Sequence, residues 1–257
     1  MPCYHPLDAY RSVFPDDTGK HQIVFNPSKA RDHVPIKLPC GQCVGCRLER
    51  SRQWAIRCMH EASLYDENCF ITLTFNDESL VKRDNPLSVD VRDFQLFMKK
   101  LRKRFGSGIR FYHCGEYGDK SNRPHYHACL FNFDFPDKRL WKITNGQRLY
   151  VSKMLEELWP YGFSTIGEVT FESAAYVARY IMKKINGELQ EEHYTHIDEE
   201  TGEVIKIKPE YATMSRRPGI GKKWYDKFKD DVYPHDYVVV NGVKCRPPRY
   251  YDGMLKT

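Results

Sequence analysis

Two short segments hold the residues whose types and spacing best suit chemistry: Arg123-Pro-His-Tyr-His127 and Tyr176-Val-Ala-Arg-Tyr180-Ile-Met-Lys183. On a strand, alternate side chains share a face, so His125 and His127 point together while Tyr126 points away. Two imidazoles so placed can reach one cation, but a third protein ligand is needed to hold it well. Glu116, at the end of the preceding strand, is the candidate that a hairpin turn would bring beside them. Mixed nitrogen and oxygen ligation with open positions suits Mn²⁺, or a Mg²⁺ that keeps several waters. Such a cation would polarise a scissile phosphate and offset charge developing on its oxygens. A bare His-x-His pair is more often two surface histidines without a role. The tyrosine segment shifts that balance.

Tyr176, Tyr180 and Lys183 fall on one stripe of a helix, and Ala174, Val177, Ala178, Ile181 and Ile185 cluster on the opposite side. The expectation is that the apolar side docks on a sheet and the tyrosines face away from it. A phenol is a poor nucleophile with a pKa near ~10. A nearby metal or ammonium favours the phenolate and stabilises the charged transition state, and Lys183 is spaced for that work. Two tyrosines one turn apart also allow two successive transfers, one releasing what the other has bound. The plain alternative is an amphipathic surface helix whose tyrosines cover a neighbouring loop.

A third group is Cys40-Gly-Gln-Cys43-Val-Gly-Cys46. Cys40, Cys43 and Cys46 have thiolate-ligand spacing, but three ligands leave a structural Zn²⁺ incomplete. Cys3, His5, Cys58 or His60 could supply the fourth. An iron–sulfur site has less support, and three small thiols packed at a helix start is the competing reading.

The elements that must position these residues follow from periodicity and turn chemistry. Residues 1–39 are rich in Pro, Asp and His and read as irregular. Arg47–Glu61 reads as a helix and Cys69–Phe75 as a strand. Ser88 or Asp90 can cap a helix to about Arg104, with Phe94, Phe97, Leu101 and Phe105 as its apolar stripe. Strands are expected over Ile109–Tyr117 and His125–Phe133, a short helix around Val151–Trp159 and a strand around Phe163–Phe171. Glu172 or Ser173 opens the tyrosine helix, which ends near Asn186-Gly187. The order β-α-β-β-α-β-α predicts an α+β, ferredoxin-like core: an antiparallel sheet with helices on one face. The expected divisions are an N-terminal extension (1–66), a catalytic core (67–187) and a C-terminal extension (188–257). In the last, Glu200-Thr-Gly-Glu203 and Asn241-Gly242 mark hairpins, and Ser215–Lys223 forms a basic loop.

A chain of 257 residues with formal charge +6 can bury a real core and suits a polyanionic partner without requiring one. Its 17 tyrosines among basic residues suit a single-stranded nucleic-acid groove. The nine cysteines are an odd number, in a chain too long to need disulfide staples. No segment has the ~20 apolar residues of a membrane span, and the start shows no leader pattern, so a reducing, intracellular setting is expected.

Together the two catalytic segments resemble the HUH endonucleases, named for His-hydrophobic-His with a partner tyrosine helix. The resemblance is nearer still to replication initiators of small single-stranded DNA phages of the microvirus family, especially the gokushovirus branch. It is carried by the cysteine segment, Phe70–Phe75, Gly115-Glu-Tyr-Gly118, Arg123–His127, Tyr176–Lys184 and Arg217-Pro-Gly-Ile-Gly221. What it implies is a rolling-circle initiation endonuclease that nicks single-stranded origin DNA, keeps a 5′-phosphotyrosyl link, and later rejoins the ends into a circle. By this resemblance His125 and His127 ligate the metal, with Glu116 the third ligand. Tyr180 is the nucleophile by its Tyr-x-x-Lys spacing, and Tyr176 its alternating partner. A host helicase and DNA polymerase would be partners, no membrane would be involved, and the setting would be the cytoplasm of a bacterial host. Two rivals stand beside it: a non-catalytic zinc-containing DNA-binding protein using Arg47–Arg57 and Lys99–Arg104, and a metal-dependent nuclease using activated water.

Overall fold

The structure is a computed structural model that describes residues 3–17, 19–118, 121–180, 189–197, 202–233 and 235–255. Contacts divide the chain into two units, Met1–Arg50 and Ser51–Thr257.

In the first unit, β1 (Leu7–Pro15), β2 (His21–Val24) and β3 (Ile36–Leu38) form an antiparallel three-stranded sheet in the order β2-β1-β3. This segment was expected to be irregular. The reason it could not be read is visible in its burial: along β1 only Ala9 is buried, so neither face carries an apolar alternation. Helix α1 (Val44–Ala62) begins in this unit and continues into the second.

The second unit starts from β4 (Asn68–Thr74), whose residues alternate between buried and half-buried. A short α2 (Asp77–Val81) precedes α3 (Val91–Phe105), and Asp90 is the cap of α3, its side chain accepting from Arg92 N–H at 2.8 Å. Next come β5 (Arg110–Tyr117) and β6 (Pro124–Phe131), then the β7 (Arg139–Thr144) and β8 (Gln147–Val151) hairpin, then α4 (Lys153–Leu158), β9 (Ser164–Gly167) and α5 (Phe171–Tyr180). Thr170 caps α5 reciprocally with Ser173: each backbone N–H donates to the other's hydroxyl, at 2.8 and 3.2 Å. The chain continues through α6 (Leu189–His193), the β10 (Thr195–Ile197) and β11 (Val204–Lys206) hairpin, β12 (Tyr211–Met214), α7 (Lys222–Val232), the β13 (Val238–Val240) and β14 (Val243–Cys245) hairpin, and α8 (Arg249–Leu255).

Seven strands form one antiparallel sheet in the order β12-β5-β6-β4-β9-β8-β7. The expected α+β class holds, and the predicted order survives as β4-α3-β5-β6-α4-β9-α5 with the β7–β8 hairpin inserted. Helices cover both faces, however, not one. Ile71 and Leu73 of β4 with Tyr126, Ala128 and Leu130 of β6 pack on Phe94, Phe97, Met98 and Leu101 of α3. On the other face Tyr112, Cys114, Cys129 and Phe131 pack on Ala55 and Cys58 of α1 and on Ala174, Val177 and Ala178 of α5. The central strands are therefore apolar on both sides and need a cover on each. Each fully buried Leu, Ile or Phe contributes roughly 1.5–3 kcal/mol by leaving water.

The expected hairpin at Asn241-Gly242 is the β13–β14 pair, and β10 pairs with β11 on either side of the turn expected at Glu200–Glu203, of which Glu200 and Thr201 lie outside the described residues. The β7–β8 hairpin and the edge strand β12 were not anticipated.

Candidate active site

Strand register builds the site. In the β5–β6 hairpin Glu116 pairs with His125 and Cys114 with His127, so Glu116, His125 and His127 share the face that α5 covers. One Glu116 oxygen, Oε1, lies 3.0 Å from His125 Nε2 and 2.8 Å from His127 Nε2. Glu116 is buried, at 1 % exposure, and the ligand atoms of all three residues lie within 4.8 Å of one another.

Neighbours fix how the imidazoles present themselves. His125 Nδ1 lies 3.0 Å from the Arg123 carbonyl oxygen. A carbonyl only accepts, so Nδ1 carries a proton toward it and Nε2 is the ring nitrogen turned inward to Glu116. His127 Nδ1 is 2.9 Å from the Thr72 hydroxyl, which reaches it because Thr72 and His127 are cross-strand partners. Burial pushes the His127 imidazole below its ordinary value, against the upward pull of Glu116. A neutral imidazole is the form that ligates. Glu116 Oε2 is buried with no hydrogen-bond partner among the described residues. A buried carboxylate with an unsatisfied oxygen beside two inward-facing ring nitrogens fits a divalent cation.

Tyr176 reaches this centre. Its hydroxyl donates to Glu116 Oε1 at 3.3 Å, and its ring meets His127 edge to face at 5.0 Å between centroids. The expectation that the tyrosines face away from the sheet is therefore corrected for Tyr176. It borders the buried Ala174–Val177–Ala178 stripe, and its long ring leans back over the strands while Val177 beside it is fully buried. Tyr180 is the last residue of α5. The Tyr180 side chain, and Lys183 altogether, lie outside the described residues.

Beside the imidazoles opens a cavity of about 720 Å³ between β4, β8, β9 and α5, lined among others by Thr72, His127, Arg148, Glu168, Tyr176 and Arg179. Arg148 and Arg179 bring positive charge to its lining beside the carboxylates of Glu168 and Glu172, and Phe70 adds a ring. Sequence reasoning missed Thr72 and Arg148. Thr72 acts only through register, which one strand cannot reveal. Arg148 was within reach: Asn145 and Gly146 both have positive φ, at 51° and 76°, as the Asn-Gly hairpin signal requires.

In the first unit, the thiols of Cys40, Cys43 and Cys46 are joined by Cys3, all four sulfurs lying within 4.8 Å of one another. Backbone N–H groups of Cys46 and Tyr4 hold the Cys43 thiol down at about 6. Cys58 and His60, considered as fourth ligands, belong instead to the second unit. Cys58 is buried in its core, and His60 is stacked on Trp224 and bonded to Tyr251.

Among the described residues no helix is long and apolar enough to cross a membrane.

Residues 68–185 match the family described as replication-associated protein ORF2/G2P. Over its whole length the chain is 34 % identical to the replication-associated protein VP4 of Bdellovibrio phage phiMH2K, covering 78 % of that protein. It is 35 % identical to the replication-associated protein ORF2 of Spiroplasma virus 4, across 87 % of this chain and 69 % of the relative. A third relative, the replication-associated protein ORF4 of Chlamydia phage 1, is 28 % identical across 96 % of this chain and 58 % of its own length. No solved structure matches the chain.

Proposed function

The chain belongs to the ORF2/G2P family of replication-associated proteins, with relatives in Bdellovibrio phage phiMH2K and Spiroplasma virus 4, and from that premise we propose that it is a replication-initiation endonuclease. It nicks single-stranded origin DNA with a tyrosine and rejoins the ends to circularise a phage genome. The observation that carries this reading is the contact of the Tyr176 hydroxyl with Glu116, the carboxylate that also faces His125 and His127. This contact supports the reading because it brings a candidate nucleophile to the candidate ligand set, which an amphipathic cover helix has no need to do.

His125, His127 and Glu116 would hold a Mg²⁺ or Mn²⁺ ion. When bound, such a cation supplies Lewis-acid polarisation of the scissile phosphate. The cavity beside them receives the strand, with Arg148 and Arg179 on its phosphates. Glu116 fixes the direction of the Tyr176 hydroxyl through the hydrogen bond it accepts. The phenol oxygen of Tyr176 or Tyr180 bonds to phosphorus as the bond to the 3′ oxygen breaks. The phenol proton is lost and the 3′ oxygen gains one, so the products are a 5′-phosphotyrosine and a free 3′-OH. Lys183, by its spacing from Tyr180, contributes positive charge near the attacking oxygen. A host polymerase extends the 3′-OH while a host helicase opens the duplex. When the origin is regenerated, the second tyrosine cuts it, and the released 3′-OH attacks the first phosphotyrosine and frees its phenol. The setting is the cytoplasm of the bacterial host.

The test is a denaturing gel with labelled origin-bearing single-stranded DNA and Mn²⁺. Wild type is compared with Tyr176→Phe, Tyr180→Phe and the double variant. Cleavage with a detergent-resistant protein–DNA adduct, lost in the double variant, is expected. Cleavage without an adduct would favour the activated-water nuclease, and binding without cleavage the non-catalytic protein.

A further inference from the structure

The first unit is poorly equipped to hold itself together by apolar packing. Among the described residues between 3 and 50 the only buried apolar side chains are Ala9 and Ala30. Its larger apolar residues stay in contact with water: Phe14 is 80 % exposed, Phe25 62 % and Val34 60 %. A unit of this size with so small a core needs a staple, which in small domains is a disulfide set, a metal or a partner. Its cysteines form no disulfide.

The four thiols are arranged as a staple would be. Cys3 precedes β1, Cys40 follows β3, Cys43 sits in the loop after it, and Cys46 lies in the first turn of α1. A link between Cys3 and Cys40 closes a loop that contains the entire β1–β3 sheet. The sulfurs are held from outside as ligands are. Tyr4 N–H donates to Cys43 Sγ at 3.4 Å, Cys40 N–H to Cys3 Sγ at 3.3 Å and Cys43 N–H to Cys40 Sγ at 3.3 Å. Tetrahedral Zn²⁺ with Zn–S of ~2.3 Å places its sulfurs about 3.8 Å apart along each edge. The Cys3 and Cys43 sulfurs are 3.8 Å apart. A cluster of several irons would spread its thiolates further than this set allows.

We propose that Cys3, Cys40, Cys43 and Cys46 form a closed, four-thiolate Zn²⁺ site that folds the first unit, separate from the His125–His127–Glu116 centre. With all four positions taken by protein sulfur, the ion is structural and has no place for substrate. Its binding energy is the folding energy of the unit, so the apo form loses the β1–β3 sheet.

Elemental analysis of the purified full chain, with thiol titration before and after chelation, tests this on the wild type itself. One zinc per chain is expected, with four thiols becoming reactive only when zinc is removed. Replacement of zinc by Co²⁺ should give the visible bands and thiolate charge transfer of a tetrahedral four-sulfur site. Cys3→Ser should weaken zinc by more than the roughly 10–100-fold that losing an outer-shell partner costs. Cys245→Ser and His125→Ala/His127→Ala should keep the zinc. A wild type without metal, or with iron absorbance in place of zinc, overturns the proposal. So does a Cys3→Ser chain that binds zinc as tightly as wild type.

Discussion

Tyr176 donates its hydroxyl proton to the one Glu116 oxygen that also lies within 3.0 Å of both His125 Nε2 and His127 Nε2. One of the two candidate nucleophiles and the residues that would hold the cation thus share a single atom. Glu116→Gln keeps the shape of that side chain and removes its charge. Mn²⁺ affinity should fall by at least the ~10–100-fold attributed to losing a mere outer-shell group, and nicking should fall with it. Calorimetric titration of Mn²⁺ into both proteins measures this. Equal affinities would remove Glu116 from the ligand set.

Thr72 holds His127 from behind, its hydroxyl 2.9 Å from Nδ1. Thr72→Val is close in shape and deletes only that bond. The expected result is Mn²⁺ binding weakened roughly 10–100-fold, with thermal stability little changed. Thr72→Ser should restore most of the affinity. If the Val variant binds Mn²⁺ normally, Thr72 is only a strand residue.

The site was legible where local pattern decides it and not where register does. Alternation put His125 and His127 on one face, and the hairpin expected after Tyr117 brought Glu116 opposite His125. The apolar side of α5 was readable because Ala174, Val177 and Ala178 recur at helical spacing, and all three are fully buried. The direction of Tyr176 was not, since a residue at the border of an apolar stripe can lean either way and only the sheet beneath decides. The β1–β3 sheet was hidden because it buries almost nothing. β12 was hidden because its pairing with β5 joins residues nearly a hundred positions apart, as Tyr211 with Gly115.

That pairing depends on Gly115 having no side chain. A Cβ there would stand 2.7 Å from Tyr211 Cε1 and 3.0 Å from Tyr126 Cε1. Neither ring can swing away cheaply: the Tyr211 hydroxyl is 3.4 Å from His113 Nε2, and Tyr126 is fully buried. Gly115→Ala should therefore cost about 1–3 kcal/mol of stability, the usual range for overpacking. A lowered urea midpoint at unchanged slope is the expected reading. An unchanged midpoint would mean that β12 is held by something other than close contact with β5.

His60 makes stability depend on pH in a direction its surroundings fix. The ring is buried, stacked on Trp224 at 3.5 Å, with Nδ1 3.0 Å from the Tyr251 hydroxyl. Burial pushes its pKa down to about 3 from the ordinary 6.5. Above pH 6.5 the ring is neutral in both folded and unfolded chains, and its contribution is intact. As pH falls below that value the unfolded chain takes up a proton that the folded chain refuses, so stability is lost progressively toward about pH 3. The loss is up to ~1.4 kcal/mol per pH unit for this one group. His113, also pushed down by burial, adds a second loss of the same sign. His60→Gln cannot titrate, so between pH 7 and pH 5 it should lose roughly 2 kcal/mol less stability than wild type. Urea unfolding of both proteins at the two pH values measures the difference. Parallel losses would show that His60 is protonated in the folded chain, and that Trp224 and Tyr251 shield it less than their packing implies.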